Sequence, residues 1–405
     1  MPRYAYKATL VATGAEIEGL EEAADKFELA KKIKADGKLL LTATEISTET
    51  WNMDRINAML SKVQLREKIV FARNLATMIE AGLALSRGLQ IFLKQTQNPK
   101  FKQVLQALVE DINKGTPLSD GMAKFDDVFP AVFVSMVRAG EESGGLVDAL
   151  NTVGGQMEKS YYLKKKVKGA MMYPAIVFCV MIGVGVLMLI YVVPGLKATF
   201  EEVGVALPFL TQLIIDISDF IQEEAVLAIG VVIAGIVGFI GYKRTEFGGR
   251  SLDYIAIHVP VFGKIVREFN SAMATRTLSS LISAGVDIVH AIEITQDVLG
   301  NVYYKETLEE AKVNIQKGIP LSQIFIQHDD IYPVMVGDMM EVGEETGRLS
   351  DMLLKIAVFY EEEVDSATSD MSKLIEPILM VMIAAFVGVF AVAMITPMYT
   401  IMTNI

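Results

Sequence analysis

Slid against itself by 203 residues, the chain aligns without a gap from position 71 to 174, with 28 identities. IEAG at 79–82 meets ISAG at 282–285, KGTPLS from Lys114 meets KGIPLS from Lys317, DDVFP meets DDIYP, and GEESGGL meets GEETGRL. Pro174 falls on Pro377 and Pro194 on Pro397. Self-similarity at a fixed offset constrains a fold more than any local motif, so the chain is read as two copies of one unit.

Each copy runs into an apolar stretch. There are 28 uncharged residues between Lys168 and Lys197, and 29 from Pro377 to Ile405. Both exceed the roughly 20 residues that span a hydrocarbon core as a helix. A third stretch of 18, between Glu224 and Lys243, sits near the lower limit for a span and returns the chain to the side it started from. The opening MPRYAYKATL is polar and alternating, with no basic and then apolar leader, so the first domain is expected to stay where it is made.

Basic residues near the spans set the orientation. Lys159, Lys164, Lys165, Lys166 and Lys168 precede the first span and Lys243, Arg244 and Arg250 follow the second. The intervening segment offers Lys197 against Glu201, Glu202, Asp216, Asp219, Glu223 and Glu224. This predicts a cytoplasmic N-terminus and a C-terminus on the outer side.

Within each copy the apolar period is helical. Phe71, Leu75, Met78, Ile79 and Gly82 form one face, and Ala274, Leu278, Leu281, Ile282 and Gly285 repeat it. Gly115 and Gly318 suit the residue just past a helix, and Pro117 and Pro320 the first turn of the next. At the following corner Ser143 or Thr346 is expected to cap the last helix, which carries Leu146, Leu150, Val153 and Met157 inward and has no breaker before the lipid. The first 50 residues differ: RYAYKATL, AEIEGLEEA and KLLLTATEI read as strands, with a helix between the last two whose inner face is Ala23, Phe27, Ala30 and Ile33. Ile56, Met59, Leu60 and Val63 then mark an amphipathic helix at 53–65, for packing on the first bundle or, helped by Lys62 and Arg66, for the membrane surface.

The expected fold class is an all-α membrane protein: two repeated cytoplasmic bundles of about six helices, three transmembrane helices and a small N-terminal α+β domain. The boundaries are 1–50 for that domain, 51–70 for a linker and 71–168 for the first bundle. A span at 169–194, an outer loop at 195–224 and a span at 225–242 follow. The second bundle is 243–373, the last span 374–397, and 398–405 an outer tail.

Several chemistries find no residues to carry them. No GxxxxGK[ST] cradle is present, so the chain is not itself an NTPase. His258, His290 and His328 stand far apart in no HExxH-like pattern, and no GxSxG elbow occurs. The lone Cys179 lies in a span, which excludes an intrachain disulfide. A formal charge of −12 leaves no basic stripe for nucleic acid. The spans carry no ionisable group, apart from Glu376 at one end, where a transporter would place them. No catalytic, metal or cofactor site is therefore expected.

Two kinds of candidate site remain. Small residues at four-residue spacing, Gly230, Ala234 and Gly238, with Ala384 and Gly388, permit close packing of membrane helices. Glu141 and Glu142 recur as Glu344 and Glu345 beside glycine turns, either as corner chemistry near a helix N-terminus or as a docking surface for a basic partner. A divalent-cation site with Asp126 and Asp127 or their twins is the third possibility for those corners. Glu361, Glu362, Glu363 and Asp365 of the second copy replace the basic face formed in the first by Lys159 and Lys164 to Lys166, so opposite faces of neighbouring copies or subunits attract.

The ordered motifs IxAG, KGxPLS, FP or YP, and GExxGxL, duplicated and each followed by proline and a span, resemble the platform protein family. These are the polytopic inner-membrane components of type IV pilus assembly and type II secretion systems. The likeness covers essentially the whole chain, including the closing IEPILMVMIAAFVGVFAVAMITPMY. It implies a non-enzymatic, homo-oligomeric scaffold in membrane lipid, which engages a cytoplasmic hexameric assembly ATPase, other inner-membrane assembly proteins, and pilin or pseudopilin subunits. Arg138 becomes Glu341 in the second copy, so the two corners need not serve the same partner.

Overall fold

The computed structural model describes residues 3–10, 16–23, 25–46, 61–203, 208–260 and 262–403. Ile56, Met59 and Leu60 of the expected amphipathic helix, and residues 204–207 and 404–405 of the expected outer segments, lie outside them. Val63 is buried in a stretch, 61–64, that is not helical. The chain forms two compact units, Met1–Val128 and Phe129–Ile405, and the division falls inside the first copy of the repeat.

The first unit opens with an antiparallel sheet of order β2-β1-β3, built from β1 (Arg3–Leu10), β2 (Glu16–Glu22) and β3 (Lys38–Ile46). Helix α1 (Lys26–Ala35) starts at Asp25, whose carboxylate accepts the Glu28 N–H at 2.7 Å, a regular N-cap. Tyr4, Tyr6, Ala8, Ala23, Leu29 and Ile33 make its core. The inner stripe is therefore Leu29 and Ile33, and the expected place of Phe27 is corrected: it is 86% exposed. Leu29 and Ile33, four apart, carry the period, and Phe27 lies off that stripe.

Four helices of the first copy follow: α2 (Leu65–Glu80), α3 (Leu85–Gln95), α4 (Pro99–Asn113) and α5 (Leu118–Ala123). Phe71, Phe92 and Phe101, one from each of the first three, meet edge to face at 5.3–6.0 Å and fix how these helices cross. Asn98 ties two helix starts together. Its Oδ1 accepts the N–H groups of Lys100 and Phe101, and its Nδ2 donates to Glu67, which also accepts the Gln64 N–H at the start of α2.

The second unit holds the rest of the first copy, α6 (Ala131–Ser143) and α7 (Leu146–Ala170). The chain continues through α8 (Met172–Leu187), a π-turn at Met188–Val192 and α9 (Val193–Val203). Then come α10 (Phe209–Glu223), α11 (Ala225–Arg244) and α12 (Glu246–His258). The second copy supplies α13 (Phe262–Ser283), α14 (Ile288–Val298), α15 (Val302–Ile315), α16 (Leu321–Gln327), α17 (Val334–Glu345) and α18 (Leu349–Thr403). Six helices thus occur per copy among the described residues. In the second copy α13 packs along α18, and Tyr332 of the DDIYP motif is wedged between Tyr304 and Phe325 at 4.8 and 4.5 Å.

Among the described residues three helical runs are long and apolar enough to cross a membrane: Leu146–Ala198, Ala225–Arg244 and Leu349–Thr396. Among them α18 is continuous for 55 residues, about 80 Å at 1.5 Å per residue. The first run is interrupted at Met171, three residues before Pro174, which has no N–H to donate to the preceding turn. It departs from α geometry again at the π-turn before Pro194. There the Leu189 carbonyl accepts from the Ser218 hydroxyl at 2.5 Å and from Gln222. The segment expected as a plain outer loop is thus largely helical: α10 reaches the first span through Ser218 and the third through Thr211, whose hydroxyl donates to the Ala393 carbonyl at 2.7 Å.

Candidate functional site: the acidic corners and the paired long helices

The corner between α17 and α18 is built by glycine. A Cβ on Gly343 would stand 3.0 Å from Leu349 Cα, and one on Gly140, its twin, 2.4 Å from Ala149 Cβ. The glycine of each GEE motif is thus what lets the two helices of the corner close on one another. Ser143 and Thr346 do not cap the next helix as expected. The Thr346 hydroxyl donates back to the Val342 carbonyl at 2.7 Å, and the helix after Ser143 starts at Gly145 without a side-chain cap.

The carboxylate of Glu344 takes up a capping role elsewhere. Its oxygens accept the N–H of Leu321 at 2.6 Å, the N–H of Ser322 at 3.2 Å and the Ser322 hydroxyl. Leu321 and Ser322 are buried, so these donors have no water to turn to, and a charged acceptor at a helix N-terminus suits them. KGIPLS and GEETGRL are therefore two halves of one joint in the second copy. Pro320 is the N-cap itself, as is Pro117 in the first copy, one residue earlier than the expected first turn.

Glu142, Glu345 and Arg138 are exposed and Glu141 is half-buried. Among the described residues no group of three or more His, Cys, Asp or Glu is arranged to hold a metal ion. The small residues of the spans expected at packing positions make no close packing within the described residues of this chain. Gly230, Ala234 and Gly238 are exposed along α11, a Cβ on either glycine meets nothing within 4 Å, and the same holds for Gly388, with Ala384 exposed. The close contact between spans is made instead by Gly185, where a Cβ would stand 2.9 Å from the Phe386 ring.

The long helices α7 and α18 approach each other outside the lipid span. Lys166 pairs with Asp365, and Ile265, Met371, Ile375 and Leu379 pack with Val167, Ala170 and Val177 where the helices turn apolar. A cavity of about 480 Å³ opens between them, lined by Glu158, Lys159, Tyr162, Lys166, Glu361 and Glu362 among others. Below it Arg276 of α13 makes a two-point ion pair with Glu361, with Nη2 at 2.8 Å from Oε2, and both side chains are largely buried. Gln156 of α7 donates to the Thr277 hydroxyl at 3.1 Å, fastening the first copy's helix to the second copy's α13. Glu268, also on α13, is buried with one oxygen unpartnered, and desolvation raises its pKa above the ordinary carboxylate value, against the pull of Lys264.

Sequence reasoning passed over Arg276 and read Glu361 only as one member of an acidic face, yet the repeat marks both. Arg73 and Arg276 are identical at the repeat offset, as are Glu158 and Glu361. A charged residue retained at the same place in both copies is a signal of a paired charge.

Fold and site together define a duplicated α-helical multi-pass membrane protein, whose soluble helices run on into its spans. Residues 71–194 and 274–397, more than half of the chain, each match the family model described as type II secretion system (T2SS), protein F. The chain belongs to this family. It is 35% identical over 401 residues to the type IV pilus assembly protein PilC of Thermus thermophilus, covering 99% of this chain and 98% of that one. The PilC of Pseudomonas aeruginosa is 33% identical over 84% of this chain and 90% of its own length. The type II secretion system protein F of Xanthomonas campestris is 31% identical over 98% of both. Three apolar helices and this membership make the chain a multi-pass inner-membrane protein.

Proposed function

We propose that this chain is the inner-membrane platform of a type IV pilus assembly machine, a non-enzymatic scaffold that couples a cytoplasmic assembly ATPase to the insertion of pilin subunits into a filament. The observation that carries the mechanism is α18, one helix from the GEE corner to the end of the third span. A rigid rod of this kind passes displacement from a soluble bundle into the bilayer without a joint to absorb it. The relatives named for pilus assembly, 33–36% identical, support the pilus over the secretion system.

The basic residues before α8 and after α11 support an orientation with both bundles and the N-terminus in the cytoplasm and the C-terminus outside. Glu142, Glu345 and Arg138 are then the exposed polar groups offered to the ATPase, whereas Glu344 is occupied in holding its own corner. Gly230, Ala234, Gly238 and Ala384 face outward from the chain, with Gly388 half-buried beside them, and serve contacts with pilin, with other assembly proteins or with a further copy.

Deleting the gene and examining surface filaments and secreted proteins separately tests the assignment. Loss of filaments with normal secretion is expected. Loss of secretion with intact filaments would transfer the chain to a type II secretion system, the reading favoured by its likeness to the Xanthomonas protein.

A further inference from the structure

Helix α12 divides its residues between two sides. Phe247, Ser251 and Ile255 of the helix and Val259 just past it follow one another at four-residue steps, and Phe247, Ile255 and Val259 are 76%, 52% and 36% exposed. The opposite side carries the charge and is engaged by α15. Arg250 pairs with Glu306 at 2.6 Å and lies over the Tyr303 ring, the Asp253 carboxylate accepts the Val302 N–H at 2.8 Å, and Ile257 is buried. These contacts fix which way the apolar stripe turns, which is away from α15.

Both ends of α12 are held at the bilayer surface. Helix α11 has 20 residues, about 30 Å, which only just matches a hydrocarbon core, so Lys243 and Arg244 end it at the lipid boundary. The turn into α12 is tight: a Cβ on Gly248 would stand 1.9 Å from the Tyr242 carbonyl oxygen, and the Thr245 hydroxyl accepts the Gly248 N–H at 3.1 Å. At the other end a Cβ on Gly263 would stand 2.0 Å from the Ile257 carbonyl oxygen. Phe262, one residue earlier, packs on the cluster of Ile265, Met371, Ile375 and Leu379 that also takes up Val177 of the first span, at the level where the first and third spans enter the lipid. The second span ends on the side where those two begin, so the two ends of this helix of roughly 20 Å are level.

We propose that α12 lies flat in the membrane surface, with Phe247, Ile255 and Val259 set among the glycerol groups and first acyl carbons of the leaflet that α11 leaves, so that lipid fixes the height of the second bundle. A helix that runs along the boundary with one apolar side and one charged side takes this seat. The stripe holds no Asp, Glu, Lys or Arg to desolvate. All of these contacts lie within the second unit, and the placing needs neither the pilus assignment nor a choice of cytoplasmic side.

Full-length protein in nanodiscs tests it, with Cys179→Ala as the cysteine-free background. A fluorophore is attached at Ser251→Cys, at Ile233→Cys within α11, or at Glu345→Cys, which stands at the corner where α18 begins, about 40 Å along that helix from Ile375. Quenching is read with phosphatidylcholine carrying a nitroxide either near the acyl carbonyl or near the chain end. Ser251→Cys is expected to be quenched several-fold more than Glu345→Cys and best by the shallow nitroxide, and Ile233→Cys best by the deep one. Quenching at Ser251→Cys no greater than at Glu345→Cys would overturn the proposal, whether water or another part of the chain covers the stripe, and so would a preference of Ser251→Cys for the deep nitroxide. As a second measurement, Phe247→Glu/Ile255→Glu is expected to lower quenching at Ser251→Cys to the level of Glu345→Cys, whereas Phe247→Leu/Ile255→Leu retains it. Equal quenching in these two variants would contradict the seating of Phe247 and Ile255.

Discussion

Glu344 accepts the backbone N–H of Leu321 at 2.6 Å, across 23 residues of sequence, and so joins the two motifs that the duplication makes most visible. The relation explains why a GEE corner and a KGxPLS corner travel together. One supplies the carboxylate, the other a buried helix start without an N-terminal side-chain cap of its own.

Glu344→Ala is expected to destabilise the second bundle by about 1–2 kcal/mol, the cost of a lost cap that leaves buried N–H groups unpaired. Hydrogen exchange of residues 318–327 checks this, since the opening should be local to α16. Glu345→Ala, on the exposed neighbour, should leave exchange there unchanged.

Arg276→Ala strands the Glu361 carboxylate in a largely buried site, for which about 3–5 kcal/mol is expected. The double variant Arg276→Met/Glu361→Leu should recover most of the loss, because the pair must offset its own desolvation and a well-packed apolar pair need not. Denaturant titration of the three proteins in detergent decides the matter. Equal stability of Arg276→Ala and the parent would show that the pair contributes nothing.

Much of this fold is legible in the sequence because the repeat supplies a second reading of every segment. The helices, the three spans and the glycine corners follow from periodicity and offset alone. The joints do not. Glu344 sits in a motif that looks like a solvated corner until Leu321 and Ser322 are brought beside it by folding, 23 and 22 residues away in sequence. Gly230 and Gly238 carry the spacing of a packing face but meet no helix of their own chain, whereas Gly185, without such spacing, meets Phe386. Spacing shows which face a helix has; contact depends on which neighbour arrives there. Phe27 was misplaced for a simpler reason, since a short helix with two apolar phases leaves the sheet to choose between them.

Burial of Glu268 sets the sign of a pH dependence in stability. Burial raises its folded pKa above the unfolded value near 4.5, so the folded state binds the proton more tightly than the unfolded one. Its contribution is intact below that unfolded value and is lost as pH rises through the folded pKa. Glu268→Gln should therefore gain stability over the parent above this window and match it below. Unfolding midpoints measured from pH 4 to pH 8 check this, and parallel curves for the two proteins would contradict it.

The central claim is that bundle and span move as one body because the helix between them is continuous. Four glycines inserted between Thr368 and Met371 break that continuity in α18 while leaving both ends folded. Membrane level and co-purification of the assembly ATPase should be unchanged, and surface filaments should be lost. Normal filaments from the interrupted protein would contradict the account.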